Sequence, residues 1–457
     1  VPEAGVDVLD LLARLVDKSL VVVESTGTEV RYRLLDTVRE YAAEKLAEAG
    51  ETHIAYQRHR DFFLETALSR FSTRGRGVGT WWEAPWMLRV DADRENFHAA
   101  LDWSLAAGDH WKVVVFGAAL WPYWLFWKGF LGTPYDRLER ALAAPEPVLD
   151  AFRVEALLGF RLAIIEMGGR DPQRADELLR EAHRVALTLD DSVTEARSRF
   201  YLGQTAHTSG DPEEGRRQLE LSLALYEVSG YRWAIAWSHH ELGWATLAAG
   251  RAEEARFHFE QALAQNTDGN EMLRPHALAA LATVTALAGE ADRAEALAEE
   301  AVAVARGVRL RQILVAALVR AGEVAVLSGR QGRGRAVLLE VLGILSDLGA
   351  RRWVADTLEA TALVLDAQGC MDASARLLGT SDALRLALNE PARALPALSS
   401  RLRACRDRIE TALGAGAVAS AALGPDNLDQ VLTLAISELE GLATSAGSSG
   451  DRRPPDR

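Results

Sequence analysis

Two stretches, YLGQTAHTSGDPEEGRRQLELS (Tyr201–Ser222) and ELGWATLAAGRAEEARFHFEQA (Glu241–Ala262), carry one pattern at an interval of 40 residues. In each, a leucine and a small residue (Leu202-Gly203, Leu242-Gly243) lead, after seven residues, to a glycine, Gly210 or Gly250. Five residues later comes another small residue, Gly215 or Ala255, and seven after that Ser222 or Ala262. Outward from this pair the small position before the glycine recurs as Ala282, Gly322 and Ala362, with Leu281 before the first of them. The position after it recurs as Ala294, Gly334 and Ser374, then Ala301, Val341 and Ser381. The glycines themselves form a ladder, Gly129, Gly169, Gly210, Gly250, Gly289, Gly329 and Gly369, with steps of 40, 41, 40, 39, 40 and 40 residues. A fixed period near forty predicts a solenoid of helical hairpins, in which each unit buries its apolar face only by stacking on the next. Short side chains on both sides of the turn allow the two helices of a hairpin to approach closely.

The spacing resembles the tetratricopeptide repeat, stretched from its usual period of about 34 residues to about 40. That resemblance covers residues 112–390 and implies a right-handed superhelix. It also implies that the first helix of each hairpin lines a concave face at set offsets before the turn glycine. Projected onto this chain, the offsets give Arg197, Phe200, Gln204 and His207, then Trp237, His240 and Trp244, then His276 and Thr283. These mix aromatic surface with hydrogen-bonding groups, as a binding groove requires. An alternative role for Trp237 and Trp244 is packing between repeats. The repeats that follow are expected to offer mostly Ala, Val and Leu at the same offsets and to be structural.

Upstream, Val8, Leu11, Leu12 and Leu15 fall at helical spacing. Leu20–Val23 and Val30–Leu34, separated by Ser25-Thr-Gly-Thr28, predict a β-hairpin. Asp36 is expected to cap a helix that ends at Gly50. Helix, hairpin, helix is the form of the last part of a winged helix. Residues 51–111 read as a helical connector interrupted between Ser72 and Thr80, and eight of the twelve tryptophans lie from Trp81 to Trp127. Residues 391–440 predict capping helices, and residues 441–457, small, polar and Pro-rich, predict a disordered tail.

LLARLVDKSL (Leu11–Leu20) and RYRLLDTVREYAAEKL (Arg31–Leu46) resemble the winged-helix end of the nucleotide-binding module in large bacterial transcriptional regulators, the LuxR-type and related signal-transduction ATPases with numerous domains. His59 with Phe62-Phe63, DRENFHAALDW (Asp93–Trp103), Leu138–Leu142 and Ala375–Gly379 extend the resemblance over nearly the whole chain. It implies a sensor arm that binds a protein partner or small-molecule inducer on its repeats and controls an ATPase module. That module would precede residue 1, and ATP is expected there rather than in this chain. Val1 opens almost directly into an amphipathic pattern, which predicts a cut end or an alternative start codon. The other reading is a free-standing interaction scaffold.

Chemistry is not expected of the chain itself. No Gly-x-x-x-x-Gly-Lys-Ser/Thr loop occurs, Lys18-Ser19 is expected mid-helix without glycines, and Gly75-Arg-Gly-Val-Gly79 has the wrong spacing for a phosphate cradle. His53 with His59 and His239 with His240 lack metal-ligand spacing and carboxylate partners, so no metal site is expected. Trp121, Trp124 and Trp127, three apart, predict a buried stripe rather than a ligand cage. The formal charge, 51 − 65 = −14, opposes a phosphate backbone, and the hairpin charges Glu24, Glu29, Arg31 and Arg33 nearly cancel, so a scaffolding role is expected for the winged helix rather than DNA reading. Val113–Trp127, the longest apolar run, has 15 residues with Gly117 and Pro122 inside, too short for the ~20 a bilayer span needs. Two cysteines, Cys370 and Cys405, and no signal peptide predict a cytoplasmic setting.

Overall fold

The computed structural model describes residues 8–26, 29–72, 84–127, 134–144, 149–166, 171–266, 272–308, 310–348, 353–388, 395–424 and 427–448. Helix α1 (Val8–Asp17) leads into an antiparallel hairpin, β1 (Val21–Thr26) and β2 (Glu29–Leu34), in the register Val21 to Leu34. Helices α2 (Asp36–Glu48), α3 (Thr52–Ser72), α4 (Ala84–Ala92) and α5 (Arg94–Ala106) follow. Asp36 is the first helical residue and the cap position is Leu35, which has no side-chain acceptor, so the expected Asp36 cap does not form. Lys18-Ser19 is not mid-helix either: it forms the turn after α1, with Ser19 at φ +58°. The hairpin is tied to the connector by Arg31, which donates to the Ala92 carbonyl at 3.0 Å and pairs with Asp93.

Helix α6 (His110–Pro122) passes into a π-helical turn, Tyr123–Trp127. The apolar run is buried as expected, with Trp121 and Trp124 inside, and Trp121 Nε1 donates to Glu155 at 3.0 Å. Trp127's side chain, the Gly75–Gly79 stretch, Gly129 and Gly169 lie outside the described residues. No helix among the described residues is long and apolar enough to cross a membrane.

From α7 (Pro134–Leu142) the chain becomes a series of hairpins: α8 (Ala151–Glu166) with α9 (Pro172–Ala186), α10 (Ser192–Thr208) with α11 (Pro212–Ser229), and α12 (Arg232–Ala248) with α13 (Ala252–Gln265). Then come α14 (Leu273–Leu287) with α15 (Ala291–Gly307), α16 (Arg311–Leu327) with α17 (Gln331–Leu348), and α18 (Val354–Asp366) with α19 (Met371–Leu388). The glycine ladder is the set of turns. Gly210, Gly250, Gly289, Gly329 and Gly369 all have left-handed φ, from +71° to +95°. At Gly250 the amide donates to Leu247 O at 2.9 Å and the next amide, Arg251, to Thr246 O at 3.1 Å. This is the Schellman pairing, which satisfies the last carbonyls of a helix and requires a residue that tolerates φ > 0.

The small positions set the crossing of the paired helices. A Cβ on Gly203 would lie 2.8 Å from Gly215 O, and one on Gly243 would lie 2.4 Å from the Phe259 ring. Ser222 and Ser374 donate across the pair to Ala196 O (2.7 Å) and Ala362 O (2.9 Å), so these buried hydroxyls are satisfied. Consecutive first helices, α10 to α18, pack on one another as one continuous layer, the side expected to be the inner wall of the superhelix. Side chains on this wall reach past their neighbours: Arg320 of α16 lies over the Trp244 ring of α12, 5.0 Å from its centroid. Gln312 of α16 donates to Leu125 O in the π-helical turn at 3.3 Å.

Helices α20 (Pro396–Leu413), α21 (Ala417–Ser420) and α22 (Leu428–Ser448) pack against the last repeats. Arg401 donates to Val326 O and Leu327 O, and Arg335 to Leu439 O. Helix α22 continues through residues 441–448, where composition predicted disorder. Leu442, Ala443 and Ala446 are good helix formers, so the helix outlasts the compositional boundary.

Candidate functional site

Helices α10, α12 and α14 bring most of the expected groove residues together. Trp237, His240 and His276 form a triangle of rings with centroid separations of 5.5, 5.6 and 6.0 Å. Trp244 stands beside His240 and Phe259, at 6.2 and 5.3 Å. A chain of rings runs back through Trp233 and Tyr231 to Tyr226. Forward, Arg320 lies between Trp244 and Trp353, 5.0 and 5.5 Å from their centroids, a cation–π sandwich, and pairs with the buried Glu323 at 2.6 Å. Trp237 and Trp244 are both half-buried, so each packs between repeats and keeps part of its surface exposed.

The polar groups centre on Glu241, a buried carboxylate. His207 Nε2 lies 3.2 Å from Glu241 Oε2, and Gln204 also hydrogen-bonds this carboxylate. Burial alone would push the carboxyl up, yet these donors outweigh it and hold Glu241 below the usual range. His240 is bonded to Trp244, whose Nε1 donates to His240 Nε2 at 3.2 Å. His239 pairs instead with His258, Nδ1 to Nδ1 at 3.1 Å. Burial drives His240 down to about 4 and His276 to about 3, so both rings are neutral near pH 7. Among the described residues no group of three or more His, Cys, Asp or Glu side chains is placed to hold a metal ion.

Two expected residues are already engaged. Thr283 is fully buried and donates to Ala279 O at 3.0 Å, so it offers nothing to a ligand. Arg197 pairs with Glu155 of the preceding repeat. With Phe200, Tyr201, Tyr226, Trp233 and Trp237 this pair lines a cavity of about 30 Å3, room for little more than a water. A larger cleft, about 210 Å3, lies among α15, α16 and α17, but its charges are matched across it, Arg306 with Glu340 at 2.8 Å and Arg333 with Glu299 at 2.7 Å. The later repeats are not uniformly apolar on the inner wall. Glu323, Asp356 and Glu359 occupy the projected offsets, and Arg385 pairs with the last two at 2.5 and 2.8 Å.

Residues 208–268 match the family model of the tetratricopeptide repeat. The matched segment contains α11, α12 and α13, so the repeat and the aromatic belt coincide in Trp237, His240 and Trp244. The chain is 29% identical over 294 residues to a putative HTH-type transcriptional regulator of Mycobacterium tuberculosis, over 54% of this chain and 32% of the relative. It is 27% identical over 361 residues to regulatory protein AfsR of Streptomyces griseus, over 76% of this chain and 32% of that protein. The chain thus spans about a third of the length of these relatives. A solved structure with similar architecture is the signal-transduction ATPase with numerous domains and a tetratricopeptide repeat sensor from Pyrococcus horikoshii, at a TM-score of 0.47 and 14% identity, over 96% of this chain and 59% of that one.

Glu241 was not singled out by the sequence reading. Its signal is present in retrospect: it stands nine residues before Gly250, where Tyr201 stands before Gly210 and Arg320 before Gly329.

Proposed function

We propose that this chain is the sensor and protein-interaction arm of an ATP-dependent bacterial transcriptional regulator, working in the cytoplasm. In this reading a protein partner or small-molecule inducer binds the inner wall around Trp237, His240 and Trp244. The observation that carries it is the contrast between the two sides of the hairpins. Outer helices expose paired Arg and Glu, as in Arg216 with Glu220 and Arg217 with Glu214. The inner wall gathers half-buried aromatic rings and buried polar atoms, among them Trp237 Nε1, that lack partners. The similarity to transcriptional regulators about three times as long supports a regulatory setting.

Residues 1–50 would be the C-terminal part of a winged helix that couples this arm to the ATPase module. Helix α1 and the hairpin expose Val8, Leu9, Leu11, Val23, Val30 and Tyr32, each between 43% and 67% accessible. Exposed apolar side chains of this kind suit a docking surface. Binding would regulate the ATPase through differential affinity for its closed and open forms. Top-down mass spectrometry of the native protein, with ATP turnover of wild type and of the Trp244→Ala/His207→Ala variant, tests this. A longer product that carries a phosphate loop, and whose effector response is lost in the variant, supports the reading. A stable product beginning at Val1, or an unchanged response, overturns it.

A further inference from the structure

The ring triangle on the inner wall carries a more specific statement about what it recognises. Trp244 Nε1 donates to His240 Nε2 at 3.2 Å. An indole nitrogen only donates, so Nε2 holds the lone pair, and the neutral His240 ring carries its proton on Nδ1. That Nδ1–H is buried and has no partner among the described residues. Trp237 Nε1–H is in the same condition, and the two rings are 5.5 Å apart. Two unused donors therefore belong to neighbouring rings beside His276, which is half-buried. Buried donors are nearly always satisfied, so a pair left unmet in one spot indicates an acceptor still to come.

Charge narrows the class of that acceptor. A cationic ligand is excluded by the donors, which present hydrogen to it. An anionic ligand would sit beside Glu241, held ionised by His207 and Gln204, while the neighbouring Arg320 cation is already matched by the buried Glu323. Like charges at such distances in a low-dielectric site oppose binding strongly. A neutral oxygen meets neither objection. We propose that Trp237, His240 and His276 form the recognition point for an uncharged carbonyl oxygen, carried by a compact small molecule whose apolar part lies on Trp244. The proposal rests on the inner-wall reading above and adds the ligand's chemistry to it.

The test uses the full chain with 15N-labelled tryptophan and three probes of one shape: phenylacetamide, phenylacetate and phenethylamine. Trp237→Phe keeps a ring, removes the N–H and identifies its indole resonance. Phenylacetamide is expected to move the Trp237 indole proton downfield, the other two to leave it in place. Loss of one such bond should weaken phenylacetamide binding in Trp237→Phe by about 3- to 10-fold. Equal or stronger binding of the acid or the amine overturns the neutral-acceptor class. So does a silent Trp237 resonance with all three probes. Neither result touches the inner-wall reading, which the Trp244→Ala/His207→Ala response decides separately. An acetylated, amidated tripeptide that binds at Trp237 more tightly than phenylacetamide overturns the small-molecule carrier and places the carbonyl in a peptide.

Discussion

Gly215 and Gly334 occupy the same place in their repeats, five residues after Gly210 and Gly329, and the same substitution should have opposite effects at the two. A Cβ added at Gly215 would lie 2.7 Å from His207 Cβ, 2.9 Å from His207 N and 3.0 Å from Gly203 O. Two of these are backbone atoms, so α10 and α11 must separate to accept Gly215→Ala. Overpacking of this kind costs ~1–3 kcal/mol, and the gain from helix propensity recovers only part of it. At Gly334 the nearest atoms are Val364 Cγ2 at 3.4 Å and Ala325 Cβ at 3.5 Å, ordinary contact. Gly334→Ala should therefore stabilise α17 by roughly 0.5–1 kcal/mol. Solenoid stability is local, so the assay is hydrogen exchange followed by mass spectrometry on peptides from each hairpin. A net loss of about 1 kcal/mol lowers protection in α10 and α11 about 5-fold, since ~1.4 kcal/mol is tenfold. Protection in α16 and α17 should rise severalfold in Gly334→Ala. Unchanged protection around Gly215 would refute the close helix approach there, and loss around Gly334 would refute the room for a methyl group at that position.

The turn glycines should behave differently again: Gly250→Ala meets no atom within 4 Å but holds φ +81°, so its cost is conformational, ~1–2 kcal/mol, and Gly250→Asn should recover part of it in the same exchange assay. Acid should open the central repeats early. His240 and His276 titrate near 4 and near 3 when folded and near 6.5 when unfolded, so the unfolded chain takes up protons first and stability falls as pH drops below about 6.5. Glu241, held low, adds its own loss below about 4.5, and His240→Phe should flatten the upper part of the profile in a pH series of urea midpoints. Arg161 is 3% exposed with Nε and Nη1 unmatched, and its burial lowers it to about 10. Arg161→Met, similar in volume and uncharged, should be neutral or stabilising by ~1–3 kcal/mol, and a clear drop in the urea midpoint would show that the cation is serving a partner.

The ladder was legible because a left-handed turn admits few residues, so each repeat declares its position with a glycine. The inner-wall residues were legible only as a list of positions. Whether Arg197 is free depends on Glu155, 42 residues earlier, and whether His207 is free depends on Glu241, 34 residues later. Such pairings are set by how far one repeat rotates over the next, and the period fixes the length of a unit without fixing that rotation. Thr283 failed for a local reason, since a threonine inside a helix can bond the carbonyl four residues back. The exposed face of α1 was invisible for the opposite reason: helical spacing of Val8, Leu11 and Leu15 reports an apolar face but not what covers it.

Comparison along one row of the inner wall separates what the repeat must keep from what it can vary. Tyr201, Glu241, Ala280, Arg320 and Ala360 each stand nine residues before a turn glycine. The glycines repeat because every hairpin must turn in the same way, and the small residues repeat because each pair of helices crosses near them, most closely at positions such as Gly215. The row at nine carries no such demand, because its side chains meet those of the adjacent repeats in the groove. Its members accordingly run from aromatic to anion to alanine to cation. Glu241 organises His207 and Gln204, while Arg320 holds Trp244 and Trp353 apart. Between them these two residues determine which face of Trp244 is open and what charge a ligand meets. If the wall binds a ligand as proposed, specificity would reside in a row whose substitution is expected to leave the Schellman turns and the helix crossings untouched. Glu241→Gln should therefore make an anionic probe such as phenylacetate easier to accept at Trp237 while hydrogen exchange at the Gly210 and Gly250 turns stays as it was. Faster exchange at those turns would show that fold and recognition are not separable here.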